Sequence, residues 1–346
     1  MESRNGKSMV GLPPEDGDAA IVVRDLVKTY PKGTRALDGL TFSVRRGAVF
    51  GLLGPNGAGK STTIKILTTL SRPDSGAASV AGIDVLSKPH DVRRAIGCVA
   101  QRSAVDMAST GRENLILQGQ LYDLPGNELK KRVAELLERF RLTDAADRIA
   151  RTFSGGMQRK LDIAMGLIHR PQVLFLDEPT TGLDPEARAD MWNEISRLSS
   201  EGLTILLTTH YLEEADRLAE RLAIVDRGKV VAEGTPEALK AELQGDSVSI
   251  EFFGSVDEAA VRRAADRTGQ VSEVLVDGNT AHIRVNDGAS ALPALLGALE
   301  AEGTKAASVK LSRPSLDDVY LRHTGRTFEQ AEAAEQKGPA GKWGKR

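Results

Sequence analysis

The chain has 346 residues, of which 27% are charged and 40% hydrophobic, a composition typical of a globular protein with about two domains. Lys and Arg total 46 against 48 Asp and Glu, so no surplus of positive charge favours binding to nucleic acid. The single cysteine, Cys98, excludes an internal disulfide, and its apolar surroundings predict a small core residue. No apolar run approaches the roughly 18 residues that a membrane-spanning helix needs. We expect a cytosolic protein, with no secretory signal in its polar first 18 residues.

Short apolar segments alternate with helical ones over residues 19–244, after a leader at 1–18 that we expect to be disordered. Strands are predicted at 21–27, 41–44, 48–53, 96–100, 172–176, 204–208 and 222–225. Helical stretches such as 186–199 separate them, which indicates an α/β domain with a largely parallel sheet. The mostly helical span 103–168 predicts a helical subdomain inserted into this domain.

A smaller domain is predicted over residues 245–326. Its elements follow the order strand, helix, strand, strand, helix, strand, which indicates a ferredoxin-like α+β fold, with a further helix at the end. Ser315 and Asp318, after Pro314, predict a capping box at the start of that last helix. Residues 327–346 are polar and rich in Gly and Lys, and we expect a loose tail there.

A phosphate-binding loop is predicted between the strand at 48–53 and the helix at 60–69. The segment matches the P-loop pattern G-x-x-x-x-G-K-[ST] with Gly54, Pro55, Asn56, Gly57, Ala58, Gly59, Lys60 and Ser61. The glycines allow backbone N–H groups to turn toward phosphate, and the helix N-terminus adds partial positive charge. Lys60 can reach the β- and γ-phosphates, and the Ser61 hydroxyl can bind Mg²⁺.

Two adjacent carboxylates, Asp177 and Glu178, follow the apolar strand at 172–176. The carboxyl end of a buried strand faces the crevice where α/β proteins bind ligands. Asp177 is suited to hold Mg²⁺, directly or through water, and Glu178 is suited to polarise an attacking water. The sequence therefore predicts an ATP site with Mg²⁺ and a catalytic base.

Taken together, these residues resemble the ATP-binding subunits of ABC transporters, and seven motifs follow the order of that family across residues 21–240. Besides the P-loop and the two carboxylates, the matches are the adenine-stacking Tyr30, the Q-loop Gln101, the signature Ser154-Gly155-Gly156, the D-loop Asp184 and the switch His210. The likeness is strong for a P-loop ATPase domain with a helical subdomain.

The resemblance implies a role for each matched residue. Gln101 would contact Mg²⁺ and the attacking water, and couple the site to a membrane partner; His210 would contact the γ-phosphate and orient Glu178. Ser154 and Gly156 would reach the γ-phosphate bound in another subunit, so the chain needs a second copy or a paralogue, and a homodimer is expected. The nucleotide-binding set comprises the P-loop residues with Thr62, together with Tyr30, Ser154, Gly155, Gly156 and Asp184.

A narrower resemblance is to the ATP-binding subunits of daunorubicin/doxorubicin-resistance exporters. It rests on Ser154-Gly-Gly-Met157 followed by basic residues, on Gly111-Arg-Glu-Asn114, and on the closing Arg313-Pro-Ser-Leu-Asp-Asp-Val-Tyr320. Phe153 and Met157 depart from the commonest signature, LSGGQ, and the Met157 side chain is expected to point away from phosphate. The resemblance implies a peripheral protein on the cytoplasmic face of the membrane, bound to an integral membrane permease on a separate chain and powering drug export.

Two other functions compete with this one. A soluble ABC-type ATPase acting on ribosomes or DNA would usually contain two ATPase cores or long coiled coils, and the chain has neither. A regulatory nucleotide-binding module without turnover would be expected to have lost Glu178. The cargo contacts would lie in the partner chain, so the sequence does not name the cargo.

Overall fold

The computed structural model describes residues 18–31, 33–243, 245–254, 256–269 and 271–337. The predicted disordered leader, apart from Asp18, and the end of the predicted tail lie outside the described residues. The chain forms two compact units, the first ending at Thr235 and the second beginning at Pro236. The second unit thus begins before residue 245, where the sequence had suggested a boundary.

The first unit contains ten strands and seven α-helices among its described residues. The strands are β1 (Ala19–Thr29), β2 (Arg35–Arg45), β3 (Val49–Leu53), β4 (Ser75–Val80), β5 (Ile83–Asp84), β6 (Ile96–Val99), β7 (Val173–Asp177), β8 (Thr204–Thr209), β9 (Arg221–Asp226) and β10 (Lys229–Gly234). The helices are α1 (Lys60–Leu67), α2 (Pro89–Ala95), α3 (Gly111–Leu121), α4 (Gly126–Arg139), α5 (Gly155–Gly166), α6 (Pro185–Ser200) and α7 (Leu212–Leu218).

A six-stranded sheet in the order β10-β9-β3-β8-β7-β6 forms the centre of this unit. Its strands are parallel except for the antiparallel pair β9–β10, which confirms the predicted α/β class. Every residue of β3, β7 and β8 is buried, because these strands are covered on both faces, and this explains their continuous apolar sequences. Parallel pairing also brings the carboxyl ends of β3, β7 and β8 to one edge.

Cys98 is exposed, so the prediction that it is a core residue is wrong. β6 is the last strand of the sheet and pairs with a neighbouring strand on one side only, although Ile96 and Val99 of the same strand are buried. The short apolar run at 96–100 indicates a strand but does not tell which strand lies at the edge.

A second sheet, in the antiparallel order β2-β1-β4-β5, was not expected from the sequence. Its buried side chains, such as Ile21 and Phe42, form one core with Ile64 of α1 and Phe175 of β7. A different core joins α3, α4 and α5, within the predicted helical subdomain, to side chains of β7, β8 and α6. The main sheet is thus packed on both faces.

The second unit contains four strands and five helices in its described residues. These are α8 (Pro236–Ala241), β11 (Asp246–Phe252), α9 (Glu258–Thr268), β12 (Val271–Asp277), β13 (Thr280–Val285), α10 (Gly288–Ala301), β14 (Ala306–Ser312), α11 (Leu316–Thr324) and α12 (Phe328–Lys337). The antiparallel sheet has the order β12-β13-β11-β14, and the βαββαβ succession agrees with the ferredoxin-like prediction. The capping box between Ser315 and Asp318 is present at the start of α11.

The helix α12 differs from the loose tail predicted from residue 327. Phe328 is buried, and its ring packs edge-on against Tyr320 at 5.0 Å between centroids. Its backbone N–H also donates to Asp317 Oδ1 at 3.1 Å. The polar composition of the segment gives no sign of this buried aromatic contact.

In the described ranges, no helix combines the length and the apolar character that a bilayer crossing requires.

Candidate functional site

The loop from Gly54 to Gly59 connects β3 to α1 and packs tightly against neighbouring backbone. Gly59 is the N-cap of α1, with φ of 110°, and a Cβ there would lie 2.6 Å from Ala36 O. Gly57, with φ of 79°, also has a backbone conformation that residues other than glycine rarely adopt. These glycines therefore fix the turn that directs the first N–H groups of α1 toward the loop.

Lys60 is buried at the base of this loop, with 4% of its surface exposed. Its Nζ donates to the carbonyls of Gly54 at 2.6 Å and Pro55 at 3.1 Å, and it lies 3.7 Å from Glu178 Oε1. A buried ammonium needs such oxygen partners, because burial without them is costly. The Lys60 ammonium group is thus held between the start of the loop and Glu178.

Asp177 ends β7 beside the first turn of α1. Ser61 Oγ donates to Asp177 Oδ1 at 3.3 Å, and Thr208 Oγ1 donates to the same oxygen at 2.6 Å. The contact with Thr208 follows from sheet register, since Asp177 and Thr208 are paired in β7 and β8. A hydroxyl and a carboxylate thus converge, and oxygens of this kind are the ligands that Mg²⁺ prefers.

Glu178 lies at the point where the other predicted side chains meet. Gln101 Nε2 donates to its Oε2 at 3.0 Å, and His210 Nδ1 lies 3.3 Å from its Oε1. Its φ of 48° is unusual for a residue with a side chain, and its N–H donates to both oxygens of Thr208. Burial raises the pKa of Glu178, but the contact with His210 and the charge of Lys60 outweigh burial, so the pKa lies below its ordinary value. The carboxylate is therefore ionised near neutral pH.

An open cavity of about 290 Å³ extends from this cluster to Tyr30. The Tyr30 hydroxyl lies 3.4 Å from Thr62 Oγ1. The predicted residues that line the cavity are Tyr30, Asn56, Gly57, Gly59, Lys60, Ser61, Thr62, Gln101 and Glu178. Pro55 and Ala58, which belong to the same loop, are buried.

The signature residues Ser154, Gly155 and Gly156 are not in the lining of this cavity. Ser154 caps α5, where its side chain accepts the Met157 N–H at 3.3 Å, and Ser154 and Gly155 are exposed. Asp184 caps α6 in the same way, by accepting the Ala187 N–H at 2.8 Å. The starts of α5 and α6 are adjacent, since a Cβ on Gly156 would lie 3.1 Å from the Ala187 Cβ.

The two departures from the commonest signature are both directed into the protein. Phe153 is buried in the core shared by α3, α4 and α5, and Met157 packs against that core while partly exposed. Neither side chain interrupts the exposed Ser154-Gly155 segment.

Two residues of the site are not predicted by the sequence motifs. Thr208 binds Asp177, as described, and the buried Arg159 of α5 donates to the backbone carbonyl of Glu178 at 3.3 Å. The basic residues after the signature could have drawn attention to Arg159, whereas a threonine in a predicted strand gives no such signal.

Comparisons with known proteins match both units. The family described as "ABC transporter" matches residues 37–181, and the family described as "ATP-binding protein DrrA1-3-like, C-terminal domain" matches residues 234–324. The daunorubicin resistance ATP-binding protein DrrA2 of Streptomyces coeruleorubidus is 46% identical, over 87% of this chain and 94% of that protein.

Two solved structures show the fold of the first unit. The cbiO1 protein of Clostridium perfringens, described as part of the ABC transporter complex cbiONQ, is 29% identical with a TM-score of 0.61, over 65% of this chain and 92% of its own. The ATP-binding cassette MJ0796, described as a dimeric post-hydrolysis state bound to ADP and Pi, is 27% identical with a TM-score of 0.57, over 62% of this chain and 98% of its own.

Proposed function

The chain belongs to the ABC transporter ATP-binding proteins of the daunorubicin-resistance type and is an ATPase, and from this premise we propose that its ATP hydrolysis powers the export of drugs or other small molecules through a membrane-spanning subunit on a separate chain. The hydrolysis is supported most strongly by the convergence of Lys60, Gln101 and His210 on the Glu178 carboxylate at one edge of the sheet, and the export is supported by the 46% identity to the daunorubicin resistance ATP-binding protein DrrA2. In that function the protein lies on the cytoplasmic face of the membrane.

ATP binding is assigned to the cavity between Tyr30 and the P-loop. The backbone N–H groups of Asn56 and Gly57 and those of residues 59–62 are available to bind the β-phosphate, and Lys60 supplies the positive charge for the β- and γ-phosphates. Tyr30, half-buried in the lining of the cavity, stacks on the adenine. The geometry fits a triphosphate because the cation and the helix N-terminus are at the same end of the cavity.

The residues that would hold Mg²⁺ are Ser61, Asp177 and Gln101. Ser61 Oγ and Asp177 Oδ1 are already 3.3 Å apart, and both are hard oxygen ligands. Bound there, Mg²⁺ would neutralise charge on the β- and γ-phosphates. Thr208 orients the Asp177 carboxylate from behind.

Hydrolysis is assigned to Glu178 as the general base. Its ionised carboxylate accepts a proton from the attacking water, and Gln101 orients that carboxylate by its hydrogen bond of 3.0 Å. His210 lies against the same carboxylate, so it can orient Glu178 and donate to the γ-phosphate. These residues act together, since each contacts Glu178.

A second subunit completes the site in this proposal. Ser154, Gly156 and Asp184 lie at the adjacent starts of α5 and α6, and Ser154 and Asp184 are exposed, where they can reach a nucleotide held by another chain. In a two-fold dimer, each P-loop would then face the partner's signature segment. We expect a homodimer in which ATP joins the subunits and hydrolysis separates them.

Replacing Thr208 with Val is expected to raise the Mg²⁺ concentration needed for half-maximal ATPase activity by about 10-fold or more. The change removes the 2.6 Å hydrogen bond to Asp177 at nearly constant volume, and loss of such supporting contacts typically costs 10- to 100-fold in metal affinity or activity. Steady-state ATPase activity titrated with Mg²⁺ measures the effect. Thr209→Val, in the same strand, is the control, and equal Mg²⁺ dependence of the two variants would contradict the role of Asp177.

The transport function is tested by purifying the tagged chain from gently solubilised membranes of its native host. We expect a multi-span integral membrane protein in near-stoichiometric yield, with ATPase activity in the complex. Recovery of the chain only with ribosomes or DNA, or alone from the soluble fraction, would contradict the exporter and favour a soluble ABC-type ATPase. An untagged host treated identically is the control for adventitious membrane proteins.

A further inference from the structure

Arg159 lies near the start of α5 and is buried, with 8% of its surface exposed. Its guanidinium donates hydrogen bonds to four backbone carbonyls. These are Pro179 O from Nε at 2.8 Å, Ala100 O from Nη1 at 2.7 Å, and Asp177 O and Glu178 O from Nη2 at 3.0 and 3.3 Å. One side chain thus joins α5 to the end of β7 and to the residue that precedes Gln101.

Only arginine can make this set of contacts. Its donors form a flat, rigid fork, so they reach carbonyls on two separate chain segments at once. The nearest carboxylate, Asp162 Oδ2, is 3.9 Å away from Nη1, beyond hydrogen-bonding distance. A salt bridge alone therefore does not explain how the charge of Arg159 can be buried. The backbone carbonyls accept its hydrogen bonds instead.

Asp162, three residues further along α5, holds the other side of the Gln101 segment. Its Oδ1 accepts the Ala104 N–H at 3.0 Å, and residues three apart lie on one face of a helix. Gln101 therefore lies between two backbone positions, Ala100 and Ala104, that are both fixed to α5.

We propose that Arg159, supported by Asp162, is a positioning residue that places Glu178 and Gln101 for hydrolysis. The inference rests on the proposed function, in which Glu178 is the base. Helix α5, which contains Arg159, begins at the signature Ser154. It therefore connects two regions: the signature segment, proposed to meet the partner's nucleotide, and Glu178, the catalytic base of the chain's own site. Without the Arg159 contacts, the backbone at Ala100 and Glu178 would lose its attachment to α5.

Arg159→Lys and Arg159→Gln are the variants that test this placement. We expect kcat for ATP hydrolysis to fall about 10- to 100-fold, because a misplacement of about 1 Å can have an effect of that size. The KM for ATP should stay within about 3-fold of the wild type, since Arg159 is not in the lining of the nucleotide cavity. A kcat within 2-fold of the wild type for both folded variants would overturn the proposal.

Arg132→Gln is the matched control for a purely structural arginine. Arg132 is also buried, and it donates to Leu167 O at 2.6 Å and Ile168 O at 3.3 Å just beyond the other end of α5. We expect this variant to lower the melting temperature and to leave kcat unchanged. If Arg132→Gln lowers kcat as much as Arg159→Gln does, the effect is general loss of structure and the proposal fails.

A second pair of variants applies if the Arg159 variants do not fold. Asp162→Asn keeps an oxygen that can accept the Ala104 N–H, and we expect its kcat to be within about 3-fold of the wild type, whereas Asp162→Ala should lose about 10-fold. Equal kcat for the two would overturn the proposal. Absence of ATP hydrolysis by the wild-type complex would instead contradict the proposed function, so the two failures are distinguishable.

Discussion

Replacing Glu178 with Gln is expected to reduce ATP turnover by at least about 100-fold while ATP still binds, since a general base typically contributes 100- to 10,000-fold to the rate. Gln retains the shape of the side chain and an oxygen that can accept the Gln101 hydrogen bond, but it cannot accept a proton from water.

The lowered pKa of Glu178 also predicts how the rate depends on pH. Its carboxylate loses its charge only as the pH falls below the ordinary range near 4, so the wild-type rate should show no acid limb from Glu178 above about pH 5.

The control is Glu213→Gln, the same substitution at an exposed residue in the first turn of α7. Phosphate release measured at saturating ATP should fall for Glu178→Gln and remain at the wild-type rate for Glu213→Gln. Hydrolysis by Glu178→Gln at an undiminished rate would mean that another group is the base.

Replacing Lys60 with Ala is expected to weaken ATP binding by about 10- to 100-fold. A hydrogen bond to a charged group contributes about 1.5–3 kcal/mol, which corresponds to this range of dissociation constants. The effect has a second source, because Lys60 Nζ lies 3.7 Å from Glu178 Oε1, and its removal leaves that buried carboxylate without its nearest cation. Titration calorimetry with ATP, in the presence of Mg²⁺, measures the change.

Lys65→Ala is the matched control, since Lys65 is an exposed residue of the same helix. Its dissociation constant should equal that of the wild type. An unchanged ATP affinity of Lys60→Ala would contradict the assignment of the phosphates to the P-loop.

The parts of the site that sequence could predict are those in which residue type determines local backbone. Gly57 and Gly59 adopt positive φ values that are favourable for glycine alone, so their spacing before Lys60 already indicates the loop. Asp177 and Glu178 directly follow an apolar strand, and a fully buried β7 accounts for that apolar run. These features involve neighbours in sequence.

The parts that sequence could not predict depend on which segments lie side by side. Thr208 meets Asp177 only because β7 and β8 are paired in this register, and the contacts of Arg159 join residues 59 and 18 to 20 positions apart. The position of β6, which contains the exposed Cys98, at the edge of the sheet likewise depends on the strand order. Such long-range pairing is not encoded in local periodicity.

In the proposed dimer, two copies of the chain enclose ATP between the P-loop of one copy and the signature segment of the other. The most direct test is the molar mass of Glu178→Gln, measured by light scattering after size exclusion, with saturating ATP and Mg²⁺ and then with ADP. We predict twice the 37.1 kDa of one chain with ATP, and the mass of one chain with ADP. The mass of one chain in both conditions, with ATP binding verified on the same sample, would contradict the claim.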